Sequence, residues 1–513
     1  MDVWATIDHL RAARFAALDQ HFNALQSAYE RGDIDDLTLA DQFVVHAIRR
    51  VDVLPAIEAW VAAFPHSYAA RQSAVSLYVR VAWEARGEAG SDATAARRFA
   101  HMQRHFLSAQ QHAQAAIALT PRPVLTLVQW SRMQMAAGSV EGAQDYTPMI
   151  ESLLPHSPLL CIDRIGRLNP KWSGEAEALE QFMTTVRAGA WNDVQKNELE
   201  AAYFCERADV ASCTGDVGDA IRHAEKALSF ARTFQALATM AALHRSRDEF
   251  PAAIRYYDEA LLRYPSSREY HFLGWAHKAR DDAPAAQQAF EKALALGYGA
   301  SAAPLAWLHY QAGDSATLRS HIEHWLDQGV AQYSHEAMYT RGQFFFNRHC
   351  GFPRDQQQIG YWWHEAGEWG STDALESLAL AYWDGRDGFA KDYARAFSAA
   401  NAAAQLGSEK IADCIGRMHY LGHGTAVDFD AAFPYLVEAA QQNQARSMGC
   451  LVRALWFGQG APIDHDDADA WLDDLRELDP EEFARVSSEI SGVIAWLRVQ
   501  YATWRQRGAA QPD

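Results

Sequence analysis

Small residues recur in this chain at intervals of 33, and that spacing constrains the fold more than any other feature of the sequence. Ala208, Ala241 and Gly274 hold one register, Ala220, Ala253 and Ala286 a second, and Ala227, Ala260 and Ala293 a third. A period of this length marks an array whose units bury their apolar faces only against their neighbours. Residues without bulk are needed where two helices approach closely, and Leu228, Leu261 and Leu294 are expected to fill the core beside them. Asp248, Asp281 and Asp314 keep the same spacing just ahead of a helix, where an aspartate is expected to cap free backbone N–H groups. Pro251 and Pro284 follow in the first helical turn, where a missing N–H costs nothing.

This helix–turn–helix pattern resembles the tetratricopeptide repeat (TPR), with units at about 201–232, 233–266 and 267–299 and a degenerate fourth to about 330. The fourth keeps Asp314 but has Arg319 and Leu326 in place of small residues. From about residue 336 the period lengthens to 36 or 37 and is marked by glycine. Gly351, Gly388, Gly424 and Gly460 share one register, and Asp355, Asp392, Asp428 and Asp464 another. Phe346, Tyr382, Tyr420 and Trp456 end the first helix of each unit, and Gly385, Gly422 and Gly458 open the loop behind it. The segments YLGHGTAVDFDAAF and WFGQGAPIDHDDADAW carry a resemblance to the Sel1-like repeat, over about 336–480. In this register the aromatic run YWWHEAGEWG, residues 361–370, is the second helix of the first Sel1-like unit. Its rings are expected to line the seam between helices, with no catalytic work for His364 or Glu365.

The first 190 residues are helical in pattern but show no defensible period. Pro65, Pro121, Pro123, Pro155, Pro158 and Pro170 fall at expected helix ends. The stretches AWVAAFPHSYAARQS, EARG, TPRP and LNPKWSG resemble an uncharacterised bacterial domain over about 55–190, a family that transfers no catalytic residues. Residues 169–174 read as a tight turn pinned by a buried Trp172. The expected fold is therefore all-α, a right-handed helical-repeat solenoid behind an irregular helical domain. Its expected division is 1–195 N-terminal domain, 196–335 TPR-like, 336–480 Sel1-like and 481–513 terminal helix and tail.

Charge and motifs narrow the chemistry. A formal charge of -19 repels phosphate backbones and anionic lipid, so the expected partner is another protein, of basic character, and neither nucleic acid nor a membrane. No basic-then-apolar start and no long apolar run occur, and the six cysteines are dispersed, which together imply a cytoplasmic protein with reduced thiols. No phosphate loop, nucleophile elbow or complete zinc or calcium pattern is present, and Gly297-Tyr298-Gly299 does not follow a strand as a dinucleotide fingerprint must. His101, His105 and His112, and His321 with His324, lack converging ligands for zinc. No cofactor, no metal and no catalytic residue are expected.

What remains is surface. Stacked helix pairs generate a concave face lined by the first helix of each unit. Gln235, Arg245, Arg268, His271, Trp275 and Lys278 are expected there, and Arg417 with Arg453 forms a register-equivalent strip in the Sel1-like block, one turn after Cys414 and Cys450. The carboxylate clamp of chaperone-binding TPR proteins is not built, because Cys205, Asp209, Thr239, Arg268 and Phe272 occupy its positions. Residues 461–482 carry ten carboxylates against Arg476 alone, so Asp466, Asp467, Asp473 and Asp474 make a candidate docking patch for a basic protein. Acidic Sel1-like and TPR proteins of this kind often serve as immunity proteins that neutralise a toxin, and the resemblance implies that role. A scaffold or adaptor for a secretion or envelope complex, or an enzyme acting through the N-terminal domain, are the alternatives.

Overall fold

A computed structural model describes residues 1–87, 90, 93–137, 145–169, 176–313, 315–386 and 388–508. Asp314 and the turn at Trp172 lie outside them. The described residues contain helices and no strand. Two compact units are present. The first gathers the chain to Thr340, apart from 89–95, together with His349–Phe352; the second gathers Arg341–Arg348 and the chain from Pro353.

In the first unit, irregular helices precede the repeats. Asp2, Asp35, Ser67 and Ser157 accept backbone N–H groups at the starts of Val3–Arg11, Asp36–Gln42, Tyr68–Arg86 and Pro158–Arg167. Pro65 follows the helix Leu54–Ala63, Pro121 and Pro123 precede Val124–Ala137, and Pro158 opens its own helix, as expected, while Pro170 lies outside the described residues. Phe22, Phe43, Trp60 and Trp130 are fully enclosed in the core of these helices.

The repeats follow as antiparallel pairs: Asp193–Cys213 with Val217–Phe230, Phe234–Ser246 with Phe250–Arg263, Ser267–Lys278 with Ala283–Ala295, and Ala302–Ala312 with Arg319–Ala331. All eight alanines of the three small-residue registers are buried, and the glycine has its own reason. A Cβ on Gly274 would stand 2.7 Å from the Phe290 ring, closer than packing permits. Leu294 is buried as expected, whereas Leu228 and Leu261 are only partly so, since they lie at the rim of the helix crossing.

Asp248 and Asp281 are not helix caps. Asp248 and Asp281 adopt left-handed backbone, φ 58° and 59°, and their register partner in the first pair is Gly215, φ 82°. They close the preceding helix, in the position that favours glycine and tolerates aspartate. The cap position is one residue later. Backbone N–H groups of Asp216, Glu249 and Asp282 donate to the carbonyls of Ala211, His244 and His277 at 3.0, 2.9 and 3.0 Å, and the Asp216 and Asp282 carboxylates accept from the next helix. Pro251 and Pro284 occupy the first helical turn.

The N-terminal helices dock along one edge of these pairs, the edge made by the turns between successive pairs. Tyr264, Leu296 and Tyr333 pack against the N-terminal core. The Arg49 N–H donates to the Leu296 carbonyl at 2.9 Å, the Arg50 guanidinium to that of Ala295 at 3.1 Å, and the Val51 N–H to Gln332 Oε1 at 2.9 Å. Gly297, φ 102°, permits the approach, since a Cβ there would lie 2.6 Å from the Arg49 carbonyl carbon. Gly297 thus serves docking of this chain onto itself, whereas Gly299 makes room for Gln332 and Ser334 just after the fourth pair.

In the second unit the longer period has a visible cause. Gly385, Gly422 and Gly458 close the helices Thr372–Asp384, Ala412–Leu421 and Ala445–Phe457 in left-handed backbone. The chain then loops back before the next helix begins. That loop is fastened by the N–H groups of Asp392, Asp428 and Asp464, which donate to the carbonyls of Tyr382, His419 and Leu455 at 2.9, 3.0 and 3.1 Å. The same aspartates, with Asp355, cap the helices Tyr393–Gln405, Phe429–Gln441, His465–Leu478 and Gln356–Glu368. Ile359, Ala366, Ala396, Ala403, Ala432 and Ala439 are fully buried along the register. Trp363 and Trp369 are buried in the seam, while Tyr361 and His364 face solvent and Trp362 is half-buried beneath the Arg341 guanidinium. The helix Pro480–Gly508 follows. Among the described residues no helix is long and apolar enough to cross a membrane.

Candidate binding surfaces and a polar cavity

The first helices of the TPR pairs bring most of the expected residues to one surface. Arg245 and Arg268 hold their guanidinium carbons 4.4 and 5.2 Å from the centre of the Phe272 ring. One turn on, the Trp275 indole is 40% exposed, and Lys278 Nζ sits 4.6 Å from its ring centre. Such cation–aromatic pairs orient both partners. His271 does not reach this surface as expected; at 8% exposure it is enclosed beneath the tryptophan. Trp275 Nε1 donates to His271 Nε2 at 3.0 Å, so the imidazole proton is on Nδ1 and points to Ser301 Oγ at 2.8 Å. The histidine positions the indole from below. Gln235 is exposed and donates to Glu206 at 3.1 Å.

The arginine strip is closed. Arg417 pairs with Asp413 of its own helix at 2.7 Å and lies over Trp383, and Arg453 pairs with Glu489 of the terminal helix. Their side chains are only 13% and 12% exposed, so the stems pack along the repeats and the charges are already matched. Cys414 and Cys450 are buried as well. The acidic segment has the opposite character: Asp466, Asp467, Asp473 and Asp474 are all exposed on His465–Leu478, and Arg476 answers Asp473 alone at 2.9 Å.

His105 and His112 are each 8% exposed, whereas His321 and His324 are exposed. His105 contacts the Tyr333 hydroxyl at 3.3 Å, and burial, reinforced by His101 and Arg104, pushes its pKa down to about 4. His112 contacts Glu58 at 3.0 Å and Arg71 at 3.2 Å. Among the described residues no group of three or more His, Cys, Asp or Glu is placed to hold a metal ion.

The sequence reading missed a cavity of about 370 Å³ inside the first unit, where the N-terminal helices meet the turn edge of the TPR pairs. Its walls come from widely separated segments. Leu125, Val128, Ile162 and Phe234 supply apolar surface; His46, Arg80, Gln129 and Arg132 form one polar end, and Asp41, Glu198 and Arg263 another. Only Arg80 left a local trace. It interrupts the apolar run SLYVRVAW in a helix whose neighbouring residues, Val79 and Val81, are buried.

These helices define a helical-repeat protein with TPR and Sel1-like blocks behind an uncharacterised helical domain. A family profile described as a domain of unknown function, DUF4034, matches residues 5–141, earlier in the chain than the motifs at 55–190. No curated protein was found to match. Among solved structures, a Sel1 repeat protein from Oxalobacter formigenes is 19% identical with a TM-score of 0.37, covering 46% of this chain and 98% of its own. A protective antigen of uropathogenic Escherichia coli strains, displaying an SLR fold, is 14% identical with a TM-score of 0.40, covering 90% and 98%. Yeast Tom70 is 12% identical with a TM-score of 0.34, covering 97% and 99%. At these scores the repeat register and helix pairing, and not the neighbours, carry the assignment of fold.

Proposed function

We propose that this chain is a non-enzymatic protein-binding repeat protein and that its partner is a basic toxin or effector, neutralised by binding as an immunity protein does. The observation that carries the reading is Trp275. It is an exposed aromatic fixed from below by His271 and Phe290 and flanked by Lys278, on the helix face that repeat arrays offer to partners. Rigid, partly exposed aromatics of this kind make effective interface anchors because little entropy is lost when they are covered. The net charge of -19 and the exposed acidic helix favour a basic partner. Within this reading 1–195 is a supporting helical domain, 196–335 and 336–480 are the two repeat blocks, and 481–513 is the terminal cap. A cytoplasmic setting fits six free thiols. A non-catalytic role fits Cys161, whose thiol burial pushes up to about 12 and so keeps protonated and inert.

The experiment is capture of partners on tagged full-length protein beside Trp275→Ala, followed by co-expression with the partner. Retention of a basic protein by the wild type alone, with growth arrest by that protein relieved on co-expression, is the expected result. A partner that is harmless to cells would contradict the immunity role and favour a scaffold.

A further inference from the structure

We infer that the cavity between the N-terminal helices and the TPR turn edge is a binding site for a small amino or hydroxy acid, seated with its carboxylate on Arg80. The inference begins from polar groups that the fold encloses and leaves without partners. Gln129 is 4% exposed and its Oε1 has no hydrogen-bond partner; His46 is 8% exposed and its Nδ1 has none either. The Nε of Arg80 is shielded from solvent and equally unmatched. All three residues line the same cavity. Buried polar groups are nearly always satisfied, by protein, water or ligand, because an unmade bond away from water is costly. Three such residues in the walls of one void mark it as polar, and Arg80 brings the charge.

Their chemistry states what ligand would suit it. Among the described residues no carboxylate pairs with Arg80, whereas Arg132 is held by Asp163 at 3.0 Å and Arg49 by Glu84 at 3.3 Å. A guanidinium fork matches a planar carboxylate with two parallel hydrogen bonds. Burial holds the Arg80 pKa down to about 10, with Arg49 adding to the effect and the more distant Glu269 opposing it, so it stays charged near neutrality and gains from a counter-anion in contact with it. Burial likewise keeps His46 neutral, with a pKa of about 3, so one ring nitrogen can donate to an anion without a second positive charge. Gln129 Oε1 is shielded as it stands, and with a turn of its side chain toward the void it would accept from an amino or hydroxyl group beside the carboxylate. At the other polar end Asp41 and Glu198 stand together with Arg263. Burial raises both carboxyls, with Asp35 adding to the effect on Asp41 and Asp41 to that on Glu198, so an ammonium directed there is also favoured. The remaining wall, Leu125, Val128, Ile162 and Phe234, suits an apolar side chain, and about 370 Å³ lies at the small end of ligand sites.

The test is calorimetric titration of full-length protein with the α-amino acids and the corresponding α-hydroxy acids, with acetate and inorganic phosphate as controls. Variants Arg80→Met and Gln129→Leu keep the side-chain volume, and their helical circular dichroism confirms folding. We expect saturable binding of at least one panel member and weaker or no binding of acetate and phosphate. Removing one charged hydrogen-bond partner should weaken affinity roughly 10- to 100-fold in Arg80→Met, with a smaller loss in Gln129→Leu. Binding of phosphate in preference to every carboxylate would overturn the assignment of ligand class. No heat from any panel member at millimolar concentration would show a cavity without such a ligand, and unaltered affinity in folded Arg80→Met would place binding away from Arg80; either result would overturn the inference.

Discussion

Gly424 and Gly407 both adopt left-handed backbone, φ 79° and 83°, yet replacing each with alanine should have different consequences. A Cβ on Gly407 meets nothing within 4 Å, so Gly407→Ala costs only the conformational penalty, about 1–2 kcal/mol. A Cβ on Gly424 overlaps the carbonyl of Tyr393, standing 2.6 Å from its carbon and 2.9 Å from Phe397 Cβ. Tyr393 opens the helix Tyr393–Gln405, whose first-turn backbone cannot move without disturbing the cap at Asp392. Overpacking against such a fixed group adds about 1–3 kcal/mol, for a total of about 2–5 kcal/mol in Gly424→Ala. Whole-chain melting of a repeat protein need not be two-state, so hydrogen exchange of the amides in Tyr393–Gln405 is the suitable measure. Protection there should fall far more in Gly424→Ala than in Gly407→Ala. Equal losses in the two variants would refute the claim that the glycine register exists to let loop and helix touch.

Ala253 is fully buried at a helix crossing, and Ala253→Leu should destabilise by about 1–3 kcal/mol; an unchanged melting temperature would move it out of the crossing. Asp36 is enclosed with Oδ1 unmatched, and burial raises its pKa to about 6 against the hydrogen bonds from Ser157 and Leu159. The folded state therefore holds a proton that the unfolded chain, at 3.8, releases earlier, so stability is fully present below about pH 4 and declines as pH rises through about 6. The loss approaches about 3 kcal/mol, and melting scans of Asp36→Asn should lack that decline between pH 4 and 7. Cys213 is the exposed thiol, while burial pushes Cys161, Cys205 and Cys414 up to about 12 and Cys450 to about 11. Iodoacetamide at neutral pH should thus add one adduct to native protein by intact mass and six in urea; several fast native adducts would contradict the burial.

Repeat positions were legible because periodicity is a local property: each helix pair writes its small residues into the sequence at the interval of the unit. Ala220, Ala253 and Ala286 needed no knowledge of what lies beyond the next pair. The role of Asp248 and Asp281 was misread because aspartate suits both a cap and a left-handed turn; Gly215 in the same register was the available clue. Arg417 and Arg453 looked like an open strip because their carboxylates follow different rules. Asp413 is one turn away, but Glu489 stands 36 residues on, in a helix outside the repeat. Helix periodicity alone puts His271 on the surface and does not show that Trp275 folds back over it. The cavity was beyond reach for a related reason. Its polar end joins His46, Arg80 and Gln129 to Phe234 and Tyr264, segments that meet only because the N-terminal helices dock on the turns between repeat pairs.

The proposed function needs one anchored aromatic to hold a basic partner and long-range charge to find it. Binding of the captured partner to immobilised protein across a salt series tests both parts together, using wild type, Trp275→Ala and a variant neutralised at Asp466, Asp467, Asp473 and Asp474. Charge steering acts on association and is screened within about 8 Å at physiological salt, whereas buried anchors govern dissociation. The acidic variant should therefore associate more slowly with a flatter salt dependence, and Trp275→Ala should dissociate faster with association little changed. Wild-type association by the acidic variant at every salt concentration, together with wild-type dissociation by Trp275→Ala, would contradict the account.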